Sequence, residues 1–115
     1  MLLAVLASSR AEAEALCVRI RNSRCGMEPA PFFTVKSFFS AFQTGAYHGA
    51  VIALGDSAGF LAARRLRELD RNCRILMIDD TERYALQCVR IHAVDFLLRP
   101  VPDARLKRGL ELLLE

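Results

Sequence analysis

A doubly wound α/β fold, built on a five-stranded parallel sheet with helices on both faces, is predicted by three features of this 115-residue sequence. Short apolar runs alternate with amphipathic stretches from one end of the chain to the other. Two of the runs, Leu2–Ala7 and Ala50–Leu54, are apolar throughout, as strands buried on both faces are. The connections are long enough for a crossover helix and little more, which is what joins parallel neighbours.

Taken in order, Leu2–Ala7 is the first strand. Ser9-Arg10-Ala11-Glu12 is a Ser-x-x-Glu capping box opening a helix whose Ala13, Leu16, Cys17 and Ile20 recur at three and four; it runs to about Arg24, where Cys25-Gly26 stops it. Phe32–Lys36 reads as a second, weaker strand, and Ser37 as the cap of a short helix carrying Phe38, Phe39 and Phe42 to about Thr44. Ala50–Leu54 is the third strand. Gly55–Gly59 is a loop, and Phe60–Asp70 a helix with Leu61, Leu66 and Leu69 inward and Arg64, Arg65, Arg67 and Glu68 mostly outward. Arg74–Ile78 is the fourth strand. Asp79-Asp80-Thr81-Glu82 fits an Asp-x-x-Glu box for a helix holding Tyr84, Ala85, Cys88 and Ile91. Val94–Leu98 is the fifth strand, and Pro102 and Asp103 start a last helix bearing Leu106, Leu110, Leu113 and Leu114. Right-handed crossovers and this size suit the flavodoxin-like strand order 2-1-3-4-5.

Composition bounds the function. The length fits a single domain over residues 1–115, and 53% hydrophobic residues exclude a disordered chain. The net charge of 16 − 13 = +3 is a mild basic excess that by itself decides nothing about nucleic acid, which needs a basic stripe as well. Arg64, Arg65, Arg67, Arg71 and Arg74 are interleaved with Glu68 and Asp70, which weakens a phosphate-binding stripe, so direct nucleic-acid binding is not expected. No run approaches the ~18 apolar residues of a membrane span, and the short N-terminal run lacks the basic flank of a signal peptide. A cytoplasmic location and no membrane partner are expected. Cys17, Cys25, Cys73 and Cys88 form no C-x-x-C pair, and His48 and His92 lie far apart, so free thiols and no metal site are expected. No Gly-rich fingerprint follows the first strand, which leaves dinucleotide binding unsupported.

Three segments carry a resemblance: Gly59-Phe60-Leu61-Ala62-Ala63-Arg64-Arg65-Leu66-Arg67-Glu68-Leu69, Arg83-Tyr84-Ala85-Leu86, and Val94-Asp95-Phe96-Leu97-Leu98-Arg99-Pro100. On these the chain resembles, over its whole length, a response-regulator receiver domain of two-component signalling. The Tyr-Ala-Leu element and the Asp-aromatic-Leu-Leu-basic-Pro ending resemble receivers of LytTR-type transcriptional regulators. The resemblance implies a site of two acidic residues after strand 1 that hold Mg²⁺, an Asp ending strand 3 that accepts a phosphoryl group from a histidine kinase, a Thr or Ser ending strand 4 and a Lys ending strand 5.

This sequence departs from that pattern at all five positions. Ser8 and Ser9 stand at the acidic pair, Ala53 at the acceptor, Asp79 at the hydroxyl and Arg99 at the Lys. A methyl group is no nucleophile, and two neutral hydroxyls are poor Mg²⁺ ligands, so neither Mg²⁺ nor any other cofactor is expected. Asp56, three residues past Ala53, is the alternative phosphoacceptor of a conventional phosphorelay receiver; its plainer reading is a loop or cap carboxylate. An Asp79–Arg99 ion pair would fix one switch state; the plainer reading is that Asp79 or Asp80 caps the fourth helix. Phe96 stands at the switch aromatic, Arg99-Pro100 at a bond often cis in receivers, and His92 at a helix-ending Gly.

The function expected is therefore a degenerate, phosphorylation-independent receiver: a non-enzymatic module for protein interaction, controlling a DNA-binding output domain expected to follow Glu115. A histidine kinase or another signalling protein is the expected partner. A homodimer is expected through the helix 4–strand 5–helix 5 face, with Arg83, Tyr84, Gln87, Arg90, Asp95, Arg105 and Arg108 as its residues. A small flavodoxin-like cofactor-binding protein is the remaining alternative, resting only on Ala7-Ser8-Ser9-Arg10 as a weak phosphate loop.

Overall fold

The computed structural model describes residues 1–45 and 47–115. Its elements alternate as β1 (Leu2–Ala7), α1 (Arg10–Asn22), β2 (Glu28–Phe32), α2 (Val35–Thr44), β3 (Tyr47–Ala53), α3 (Asp56–Leu69), β4 (Arg74–Asp79), α4 (Ala85–Arg90), β5 (Asp95–Leu98) and α5 (Asp103–Leu114). The strands form one sheet in the order β2-β1-β3-β4-β5, all pairs parallel. This is the doubly wound order the sequence predicts.

Two cores follow from the strand period of two. Leu3, Val5, Val51, Leu76 and Leu97 meet α1 and α5 on one face, while Ala4, Leu6, Ile52, Ile75 and Met77 meet Phe38, Ala62, Leu66 and Cys88 on the other. The α1 capping signal is realised, with Ser9 Oγ accepting the Glu12 N–H at 3.1 Å. Gly109 lets α5 lie close to the sheet: a Cβ there would meet a Leu76 methyl at 3.0 Å.

Several boundaries differ from the sequence expectation. β2 runs over Glu28–Phe32, not Phe32–Lys36. Pro29 and Pro31 argue against a strand except at a sheet edge, and β2 is an edge strand. The Glu28 N–H faces β1, where it donates to Met1 O at 2.8 Å, so the alternate positions 29 and 31 point their nitrogens to the free edge. The α2 cap is Thr34, whose Oγ1 accepts the Ser37 N–H at 3.1 Å, rather than Ser37 itself. β3 starts at Tyr47, three residues earlier than expected.

Helix α3 begins at Asp56, so the stretch expected as a loop is its first turn. Its buried stripe is Gly59, Ala62, Ala63 and Leu66, whereas Leu61 and Leu69, expected inward, are exposed. Three small residues beside a single leucine seat the helix more closely than a leucine stripe would. Asp79-Asp80-Thr81-Glu82 does not open α4: the helix is six residues long, begins at Ala85 and has no side-chain cap. Leu114, expected on the apolar face of α5, is exposed. All four cysteines are free thiols, three of them buried. No helix among the described residues is long and apolar enough to cross a membrane.

Candidate functional site

The carboxyl ends of β1, β3, β4 and β5 converge at one edge of the sheet, where a doubly wound fold places its ligands. Ala7 and Ala53 are paired across β1 and β3, and Asp79 and Leu98 across β4 and β5. Ser8, Ser9, Ala53, Asp56, Asp79 and Arg99 thus sit at or just beyond these ends.

The two serines serve the start of α1. Ser9 caps the helix, and the exposed Ser8 hydroxyl donates to Glu12 Oε2 at 2.6 Å. Ala53 is buried, and its carbonyl oxygen accepts a hydrogen bond from Arg99 Nη2. Arg99 Nη1 lies 3.2 Å from Asp80 Oδ2. The Arg99 guanidinium therefore bridges the carboxyl ends of β3 and β4.

Asp79 is buried at 2% exposure, and its Oδ1 accepts three backbone N–H groups: Asp80 at 2.6 Å, Asp56 at 3.0 Å and Thr81 at 3.4 Å. The expected Asp79–Arg99 pair does not form. Arg99 pairs instead with Asp80, whose side chain reaches water, because the Asp79 carboxylate turns back toward these amides. Gly55 (φ 82°) and Asp56 (φ 50°) make the turn that brings the Asp56 N–H to Asp79, and a Cβ at position 55 would stand 3.3 Å from Asp79 Oδ1. Asp56 itself is exposed. The Arg99–Pro100 bond is cis, and His92 adopts left-handed geometry at φ 62°.

Phe96 is half-buried and packs against the core on the α2–α3–α4 face. On the α4–β5–α5 face, Arg83, Arg90, Arg105 and Arg108 are exposed, Gln87 is half-buried, and half-buried Tyr84 stacks on Phe60 with ring centroids 5.6 Å apart. Asp95 receives Arg105 in a two-point pair at 2.5 and 2.9 Å. The Arg105 hydrogen bond holds the Asp95 carboxyl below the ordinary carboxylate range, opposed by partial burial. The sequence reading missed Leu86, Val89 and Leu98, which are exposed on the same face; helical spacing on α4 was the signal available for the first two.

Arg67 also departs from expectation. It is half-buried rather than outward, and its guanidinium donates to five carbonyl oxygens: Cys73 at 2.5 Å, Ile91 at 2.8 Å, Arg71 at 3.0 Å, and Asp70 and His92 at 3.3 Å. It ties the α3–β4 turn to the α4–β5 turn. Sequence offered no signal for this, since its partners are backbone oxygens.

No protein-family model matches the chain, and no curated protein matches it. Solved structures do. TrrA from Thermotoga maritima, a response regulator in complex with Mg(2+)-BeF, matches at 15% identity and a TM-score of 0.82, over 97% of each chain. The response regulatory domain of mrkE from Klebsiella pneumoniae matches at 15% identity and 0.81, over 99% of this chain and 95% of that one. NtrX from Brucella abortus, in complex with ATP, matches at 17% identity and 0.79, over 97% of this chain but 27% of its own. At such identities the likeness is one of fold, and the chain has the flavodoxin-like fold of CheY-type response-regulator receiver domains.

Proposed function

We propose that this domain is a receiver-like signalling module of a two-component response regulator, working by protein–protein contact without being phosphorylated. The single observation that carries this reading is Ala53 at the end of β3, its carbonyl held by the Arg99 guanidinium. The position where the fold would present an acceptor carboxylate holds a methyl group, and the carbonyl of that residue is taken by an arginine ion-paired to Asp80.

Mg²⁺ does not fit the residues present. It requires several oxygen ligands and negative charge to offset dehydration. Here the β1 end offers only Ser8 and Ser9, both engaged with α1, while the Asp79 Oδ1 atom is taken by amides and Asp80 by Arg99. Among the described residues no group of three His, Cys, Asp or Glu side chains could hold a metal ion.

The α4–β5–α5 face is the proposed contact surface, for a second copy in a homodimer or for a kinase or other signalling partner. Leu86 and Val89, 59% and 64% exposed, with Leu98 supply exposed apolar area on elements that also carry the exposed Arg83, Arg90, Arg105 and Arg108, a mixture suited to an interface. Attachment to a DNA-binding output domain in a LytTR-type regulator, and action in the cytoplasm, belong to the same proposal. The likeness to 27% of the longer NtrX chain is consistent with a module inside a larger protein.

The test is incubation with Mg²⁺ and acetyl phosphate followed by intact-mass analysis. No phosphoryl adduct is expected. An adduct that disappears in Asp56→Ala would replace this reading with a conventional phosphorelay through Asp56.

A further inference from the structure

Beside the strand ends, between α1 and the β5–α5 connection, lies a cavity of about 500 Å³. That volume is in the range of small-molecule sites, and its position is the β1/β3 switch point of the sheet. Its floor is Ala7, Ala53 and Ile78, all buried strand-end residues. Leu16 of α1 and Pro100 and Val101 of the β5–α5 connection make its walls. An acidic floor would make the place polar; with alanines at positions 7 and 53 it is an apolar trough.

The charges around it are unevenly placed. Arg99 and Arg19 line the cavity, with side chains 31% and 36% exposed. Their carboxylate partners are further out, Asp80 at 67% and Asp103 at 95% exposed. Arg19 is also held by the Val101 carbonyl at 2.5 Å, and Arg99 by the Ala53 carbonyl, so both guanidiniums stay at the cavity when their exposed partners turn to water. Exposed ion pairs are weak and exchange readily. Glu12 is the one other acidic residue of the lining, and it is exposed and engaged with Ser8.

We propose that this cavity binds a small organic anion, an apolar body carrying one carboxylate or sulfonate. The body lies on Ala7, Ala53 and Ile78, and the anionic group displaces Asp80 from Arg99, with Arg19 adding positive charge. A planar guanidinium suits a two-oxygen acid group. The inference goes beyond the proposed function and is independent of phosphoryl transfer: a domain that took phosphate on Asp56 would still hold this trough.

The test uses the folded 115-residue chain and anilinonaphthalene sulfonate as probe, with amide NMR shifts and fluorescence as readouts. Saturable binding is expected, with shifts centred on Ala7, Leu16, Ala53, Ile78 and Val101. Uncharged phenylnaphthylamine should bind about tenfold more weakly, the loss of one charge-assisted contact. Ala15→Trp, at an exposed position of the lining, should abolish both signals, while Leu61→Glu, at an exposed position of α3 outside the lining, should leave them unchanged. Shifts centred on Leu86 and Val89, or full binding by Ala15→Trp, would overturn the site. Equal binding of the uncharged probe would overturn the anion assignment. The NMR map on the unsubstituted chain decides the location even if Ala15→Trp does not fold.

Discussion

The Asp79 carboxylate accepts the backbone N–H of Asp56 at 3.0 Å, joining the end of β4 to the first residue of α3. The same oxygen takes the Asp80 and Thr81 amides, so one buried side chain organises two turns. The α3 turn needs that support, because Asp56 holds a positive φ that disfavours residues with a Cβ. A carboxylate beside the α3 N-terminus also meets the positive end of the helix dipole.

Asp79→Ala should therefore destabilise the domain by about 2–4 kcal/mol, since buried amides lose a charged acceptor. Asp79→Asn keeps one acceptor oxygen and should cost less. Urea unfolding at neutral pH measures both, and a loss below that of an ordinary surface substitution would contradict the role assigned to Asp79.

Arg67→Ala should cost a similar ~2–4 kcal/mol, because it strips donors from five carbonyls in two turns. Arg67→Lys should recover little of this, as an ammonium cannot span oxygens on both turns with a planar fork. Hydrogen exchange should show faster opening around Asn72–Arg74 and His92–Val94 in both variants.

Ala53→Asp alone should not create a phosphoacceptor. The new carboxylate would lie next to Arg99, and Ser8 and Ser9 would still supply no charge for Mg²⁺. Intact mass after acetyl phosphate treatment should remain that of the unmodified variant.

Asp95 sets an acid limit. Its carboxyl is lowered by the hydrogen bond from Arg105, so the folded state binds that proton more weakly than the unfolded chain does. The stabilisation is present above the ordinary carboxylate range and is lost as pH falls through the lowered value. Asp95→Asn should be less stable than the parent at pH 7, and the gap should close below the ordinary carboxylate range. Thermal unfolding across pH 2–7 reads this directly.

Thiol reactivity should follow burial. Desolvation raises the Cys73 thiol to about 12 and Cys88 to about 11, and it raises Cys17 as well. Half-buried Cys25 is the accessible one. A maleimide at pH 7 should label Cys25 rapidly and the other three only after denaturation. Rapid labelling of Cys73 would show that the α3–β4 turn opens.

What the sequence determined by itself was local. Apolar runs named the interior strands, the Ser9–Glu12 box named the α1 start, and the alternation of strand and helix patterns pointed to a parallel sheet, whose observed order suited the chain's size. These signals work because burial on two faces and a helix cap are written within a few residues of one another. Tertiary structure decided the rest. Glu28-Pro29-Ala30-Pro31 becomes a strand only because it lies at the sheet edge, where a nitrogen without a proton harms no ladder. Arg99 turns to Asp80 because Asp79 is already held by amides from two different turns. Arg67 faces inward because five carbonyls meet at its tip, and the trough over Ala7 and Ala53 exists because two strand ends lie side by side. Each of these depends on partners far apart in the chain, and no local pattern of side chains encodes which backbone oxygens or strand ends will meet.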